Sequence, residues 1–167
     1  DVTVTATDAV GNVGSDATSG ELTVDLTAPT VTITSLSTND TQPALGGTVD
    51  DTAATISVTV DGQTTAATNN GDGTWSLADD TLAALSEGTF DVTVTATDGV
   101  GNVGSDATSG ELTVDTTAPT VAVTNLSTND TTPALGGTVD DTAATISVTV
   151  DGQTNAATNN GDGTWSL

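Results

Sequence analysis

Residues 90–102 read "FDVTVTATDGVGN". Phe90, Val92, Val94 and Ala96 alternate with Asp91, Thr93, Thr95 and Thr97, a period of two that places the apolar set on one face of a strand. The run stops at Asp98, where aspartate, asparagine and glycine supply turn chemistry. One dry face and one wet face fit a sheet packed on one side only. The same stretch occurs a second time: residues 1–12 are "DVTVTATDAVGN".

The recurrence covers the whole chain. Residues 1–77 align without a gap on 91–167, differing only at positions 9, 26, 32, 33, 35, 42 and 65 and their partners ninety later, so 70 of 77 positions match. A 90-residue period marks an array of small domains rather than a solenoid of hairpins. The boundary falls at "VDLTAPT" (Val24 to Thr30) and its copy "VDTTAPT" (Val114 to Thr120), where a strand end is followed by a proline that cannot continue a ladder. Residues 1–26 are thus read as the last two strands of one repeat, 27–116 as a complete repeat, and 117–167 as the first five strands of another.

Within the complete repeat the alternation recurs. Val31 and Ile33 mark one strand, and Leu45, Gly47 and Val49 a second. Ile56, Val58 and Val60 form a third, ending at Asp61-Gly62, a two-residue hairpin signal. A weaker strand, "QTTAAT", leads to "NNGDG" and to Trp75 and Leu77, expected to point inward. The segment "TLAALSEG" predicts about one helical turn, and Leu112 and Val114 a closing strand. Seven short strands in one repeat, with turn signals every 8 to 12 residues, predict an all-β fold: tandem immunoglobulin-like β-sandwich domains. With no cysteine in the chain there is no disulfide, and a small core of Val, Leu and Ala calls for extra stabilisation.

Composition narrows function by exclusion. The chain has 167 residues, 23 acids and no Lys, Arg or His, a formal charge of −23. Nucleic-acid binding and attraction to anionic membranes both need cationic side chains. The apolar runs are only a few residues long, so direct membrane insertion by a helix is not expected. Lacking His, Cys, Lys, Arg and Tyr, the chain has few groups for acid, base or nucleophile, and no enzyme is expected. The acids are 20 Asp against 3 Glu. Aspartate suits turns and short ligand loops, which is compatible with calcium, an ion that takes oxygen ligands.

"TAPTVTI", "VDGQT", "GDGTWSL" and "FDVTVTATDGVGN", in this order at one period, resemble the bacterial immunoglobulin-like extender repeats of giant RTX and biofilm-associated surface adhesins. The resemblance covers essentially the whole chain. It implies a secreted protein at the bacterial cell surface, a stalk of tandem domains, and calcium at the domain junctions. The family's junction aspartates fall on Asp25 and Asp115 of the linkers and on Asp98 and Asn102 of the "DGVGN" loop.

In such a sandwich the loops after the second and sixth strands, read here as Val49 to Thr55 and Asp98 to Gly110, lie at the pole where the chain enters. Asp50, Asp51, Asp98 and Asn102 are therefore expected to converge around Asp25, with Asp8 and Asn12, Asp115, Asp140 and Asp141 as the matching residues of the other copies. Calcium needs six to eight oxygens at about 2.3–2.6 Å, which carboxylates, carbonyls and water can supply. The plainer reading of each is an ordinary turn residue bonded to its own backbone, and for Asp61, Asp72 and Asp162 that reading is preferred. Asp40, Asp79, Asp80 and Asp130 are placed at the opposite pole, and Trp75 and Trp165 in the cores.

Three functions follow, of which the first is preferred: a calcium-stiffened structural spacer supporting adhesion and biofilm formation, with neighbouring repeats as partners. The second is a subunit of an extracellular filament built head to tail, the head 1–26 of one chain completing the tail 117–167 of the next. The third is a carbohydrate- or protein-binding module. For the split ends themselves the preferred reading is a piece cut from a longer continuous array, ahead of strand complementation between chains.

Overall fold

A computed structural model describes residues 1–16 and 18–167 of the chain, which divides into two compact units, Asp1–Thr116 and Thr117–Leu167. Every regular element among the described residues is a β-strand. The first unit opens with β1 (Thr5–Thr7) and β2 (Val13–Ser15), paired as a two-stranded sheet with every residue exposed. Ten strands follow: β3 (Val31–Ile33), β4 (Leu36–Thr38), β5 (Leu45–Val49), β6 (Thr55–Val60), β7 (Gln63–Asn69), β8 (Thr74–Leu77), β9 (Gly88–Phe90), β10 (Val92–Thr97), β11 (Val103–Asp106) and β12 (Leu112–Val114). The second unit holds β13 (Val121–Val123), β14 (Gly136–Val139), β15 (Ile146–Val150), β16 (Gln153–Asn159) and β17 (Thr164–Ser166).

Seven strands of the complete repeat form one sheet in the order β11-β10-β6-β7-β8-β5-β3, and β4-β12-β9 form another. The larger sheet folds over, bringing β3 against β10 and β11. A side chain fastens that closure: Asp106 Oδ2 accepts the Ile33 amide at 3.0 Å. The alternation read from the sequence is reproduced, with Ile56, Val58, Val60, Val92, Val94 and Ala96 buried and their neighbours in the chain at least partly exposed. The Asp61-Gly62 turn has positive φ at both residues, 47° and 75°, as a two-residue hairpin following the strand twist requires.

Trp75, 1 % exposed, centres the core, and its indole Nε1 donates to the Thr32 carbonyl at 2.8 Å. Gly47 permits this, since a Cβ there would stand 2.8 Å from that nitrogen and overlap the Thr32 carbonyl oxygen. Trp165 repeats the arrangement in the second unit, buried with Val139 and Ile146 and donating to the Ala122 carbonyl at 3.0 Å.

Three details differ from the sequence reading. "TLAALSEG" is irregular rather than helical, because its backbone groups are taken by other parts of the chain. Gln63 Oε1 accepts the Ala83 amide at 2.7 Å, Gln42 Nε2 donates to the Leu82 carbonyl at 2.6 Å, and the Leu85 amide donates to Thr41 at 2.9 Å. Leu82 and Leu85 are buried by this crossing. Second, the run from Phe90 is two strands, because at Asp91 the chain leaves the β4-β12-β9 sheet and joins the larger one. Third, part of the segment read as one loop from Asp98 to Gly110 is β11, a hairpin partner of β10 in the register Thr97↔Val103 to Val94↔Asp106.

Candidate metal centre

The hairpin turn between β10 and β11 is organised by Asp98. Its Oδ1 accepts the amides of Val100, Gly101 and Asn102 at 2.9, 2.7 and 2.8 Å, and its Oδ2 accepts Asn102 Nδ2 at 2.8 Å. Asn102 Nδ2 also donates to the Asp25 carbonyl at 3.1 Å, which ties the linker to the turn across 77 residues. Partial desolvation pulls the Asp98 pKa up, but the Asn102 side chain and these amides outweigh it and hold the carboxyl below its ordinary value.

The loop between β5 and β6 supplies the next two carboxylates. Asp50 Oδ1 accepts the Thr30 amide at 2.7 Å, while the Asp50 amide donates back to the Thr30 carbonyl at 3.1 Å. That Thr30 amide, with the Thr30 hydroxyl, lowers the Asp50 pKa. Asp51 Oδ1 accepts the Ala53 amide at 2.8 Å, and Asn69 steadies the loop by donating to the carbonyls of Asp51 and Ala54, each at 2.9 Å. Asp25 Oδ1 accepts the Thr27 amide at 2.9 Å.

Asp25, Asp50, Asp51 and Asp98 thus line one open cavity of ≈ 410 Å³, with Pro29 and Val100 on its wall. The linker reaches this place because Gly104 of β11 lets Pro29 lie directly on it. A Cβ at Gly104 would overlap the Pro29 carbonyl oxygen and stand 2.9 Å from its carbon. From the sequence Pro29 and Thr30 are read only as linker and Asn69 only as part of a turn, and Gly104 is not singled out. A glycine inside the alternating "NVGSD" is a signal of close backbone approach and could have flagged the last.

The donor set is all oxygen, which suits a hard divalent cation. Among the described residues, however, no three acidic side chains gather closely enough to hold a metal ion. Asp25, Asp51 and Asp98 instead cap their own turns, Asp50 accepts the linker amide of Thr30, and Asn102 Nδ2 is taken by Asp98 and the Asp25 carbonyl.

The remaining sequence candidates lie elsewhere. Asp8 and Asn12 form a turn of the same kind between β1 and β2, with Asp8 Oδ2 accepting Asn12 Nδ2 at 2.7 Å; that bond and the Asn12 amide lower the Asp8 pKa. Asp115 follows β12, its amide donating to Thr38 at 2.9 Å. In the second unit Asp140 Oδ1 accepts the Thr120 amide and Asp141 Oδ1 the Ala143 amide, each at 2.8 Å; Thr120, through its amide and hydroxyl, lowers the Asp140 pKa. Away from this pole, Asp79 has a raised pKa, caused first by the neighbouring Asp40 charge.

A profile of the bacterial Ig-like domain matches residues 31–116, which is more than half of the chain. The chain belongs to the bacterial Ig-like domain family. Residues 31–116 of this Ig-like chain run from the first residue of β3 to just past β12, so they take in both sheets of the complete sandwich and, of the acidic pole, Asp50, Asp51 and Asp98.

No curated protein gives a significant match. Solved structures do. A solved structure from work on a 1.5-MDa bacterial ice-binding adhesin is 23 % identical over 98 % of this chain and 60 % of the solved chain, with a TM-score of 0.43. A Ca2+-stabilised adhesin with which an Antarctic bacterium binds ice is 25 % identical over 98 % of this chain and 46 % of its own, with a TM-score of 0.44. The tetra-tandem repeat of the extending region of a large adhesion protein is 29 % identical over 99 % of this chain and 46 % of its own, with a TM-score of 0.42. This Ig-like chain therefore spans about half the length of those structures.

Proposed function

We propose that this chain is a non-catalytic spacer from a secreted, cell-surface repeat adhesin, in which calcium held at the pole of each Ig-like domain stiffens the array and supports adhesion and biofilm formation. Neighbouring repeats are its partners. One observation carries the reading: a linker aspartate and three loop aspartates, far apart in sequence, line a single cavity in a chain with no basic side chain to neutralise them. Near-identity of the copies supports a spacer over a binding module, since reach grows with every repeat whereas recognition needs one site.

Asp25, Asp50, Asp51 and Asp98 would hold the ion, after their carboxylates turn from their own backbone amides toward the cavity. Bound calcium would supply the positive charge that four converging carboxylates lack. Extracellular modules bind calcium with dissociation constants of about 0.1–1 mM, and saturation at ten to a hundred times that value would add about 1.4–2.7 kcal/mol per site. Small-angle scattering with calcium and with chelator tests the reading. A maximum dimension that shortens on chelation supports it; superimposable profiles defeat it.

A further inference from the structure

Among the described residues a single acid is buried: Glu111, 5 % exposed, at the end of the loop that joins β11 to β12. Its Oε2 accepts the Val92 amide at 3.0 Å, just where the chain crosses from the smaller sheet to the larger. Its Oε1 is buried too, and has no hydrogen-bond partner. An anionic oxygen withdrawn from water with nothing to answer it is costly, and native folds leave few. The backbone around Glu111 is pinned. The Glu111 carbonyl accepts the Leu36 amide at 2.7 Å, and the Gly110 amide donates to Asp91 Oδ1 at 2.8 Å.

The surroundings of that oxygen add negative charge. Thr108 has one hydroxyl proton for two anions, and it donates to Asp106 Oδ1 at 3.0 Å. Asp106 is fixed in turn, since its Oδ2 accepts the Ile33 amide at 3.0 Å. Burial pulls the Glu111 pKa up, and the Asp106 charge adds to this. The Thr108 hydroxyl and the Val92 amide outweigh both and hold the carboxyl below its ordinary value. Glu111 is therefore ionised at neutral pH beside a second carboxylate, in a chain with no Lys, Arg or His to pair with either.

We propose that Glu111 Oε1, the Asp106 carboxylate and the Thr108 hydroxyl oxygen hold one divalent, oxygen-seeking cation inside the complete repeat, at the end of β11 far from the Asp98 turn. Two carboxylates match the charge of one such ion, and loop carbonyls with water complete a shell of about six to eight oxygens. Residues 107–110 are exposed and give the ion its way in. Once bound, it ties the β11–β12 loop to the sheet crossover at Val92, so the domain itself gains stability rather than its junction with a neighbour.

Amide NMR of the 167-residue chain, titrated with calcium out of chelator, tests the proposal with separate reporters for the two loops. The Val92 amide reports on Glu111 and the Val100 amide on Asp98. The expected result is a saturable shift at Val92 that sodium at equal ionic strength does not reproduce. It should come at lower calcium than any shift at Val100, because Glu111 Oε1 has no amide to give up whereas Asp98 Oδ1 has three. Glu111→Gln, nearly isosteric, and Thr108→Ala, at an exposed position, should each weaken the Val92 response by about tenfold or more and leave Val100 as it was. Asp98→Asn should leave the Val92 response in place, so failure at the pole and failure here are told apart. Glu21→Gln, in the exposed copy of the loop, is the matched control and should alter nothing at Val92. A Val92 amide that stays still under calcium overturns the proposal. So does a shift that sodium reproduces, or one that persists unweakened in Glu111→Gln.

Discussion

Replacing Gly104 with alanine perturbs the one place where the linker is laid on the sandwich. The new Cβ would overlap the Pro29 carbonyl oxygen and sit 2.9 Å from its carbon. Ordinary C···O contacts run to about 3.3–3.6 Å, so Pro29 must withdraw by about 1.6 Å or more, or β11 must bend away. Overpacking of this kind costs about 1–3 kcal/mol. The displacement also moves Asp25, four residues before Pro29, away from Asp98, so calcium affinity should fall together with stability. The chain supplies its own control. Gly14 has the same neighbours in sequence, but a Cβ there meets nothing within 4 Å, so Gly14→Ala should be neutral within about 0.5 kcal/mol. Urea unfolding followed by tryptophan fluorescence reads both variants, and calcium titration reads the site. Equal midpoints for Gly104→Ala and Gly14→Ala would refute the reasoning, because local sequence rather than the Pro29 contact would then set the cost.

Leu112→Ala, at a fully buried position, should cost about 2–5 kcal/mol by denaturant titration, whereas Leu22→Ala, 62 % exposed, should cost under about 0.5 kcal/mol in dilute solution. Asp106 has a depressed pKa, caused first by the Ile33 amide, so its contribution is complete above the ordinary aspartate value near pH 3.9 and is lost as pH falls through its lower folded value. Asp106→Ala should therefore lower the melting temperature at pH 7 and flatten its decline in acid; an unchanged acid limb would count against the clamp on β3. Asp79 is the opposite case, its pKa raised by Asp40, so repulsion weakens the fold as pH rises through that folded value. Asp79→Asn should raise the melting temperature at pH 7, with the gain vanishing below about pH 3; a variant melting lower at both pH values would contradict this.

Much of the fold is legible in the residues because period-two alternation survives wherever a strand has one dry face. Ile56 to Val60 and Val92 to Ala96 are read correctly for that reason, and Asp61-Gly62 because its turn needs positive φ. The missed elements have non-local causes. Nothing in "TLAALSEG" reveals that Gln42 and Gln63 will take the backbone groups a helical turn would use. Nor does "LST" at Leu36–Thr38 show itself as a strand until β12 lies beside it; the identical residues 126–128, with no such partner in their unit, form none. The same limit applies at the acidic pole. Loop position brings Asp25, Asp50, Asp51 and Asp98 to one cavity, but the direction of each carboxylate depends on whichever amide lies nearest, and spacing alone does not encode that.

Isothermal titration of the 167-residue chain with calcium, beside its Asp98→Asn variant, tests most directly the proposal that this pole holds an ion. The expected wild-type result is saturable binding with a dissociation constant of about 0.1–1 mM, weakened at least tenfold when Asp98 loses its charge. Heats that never saturate, or a variant that binds as tightly as the wild type, would contradict it.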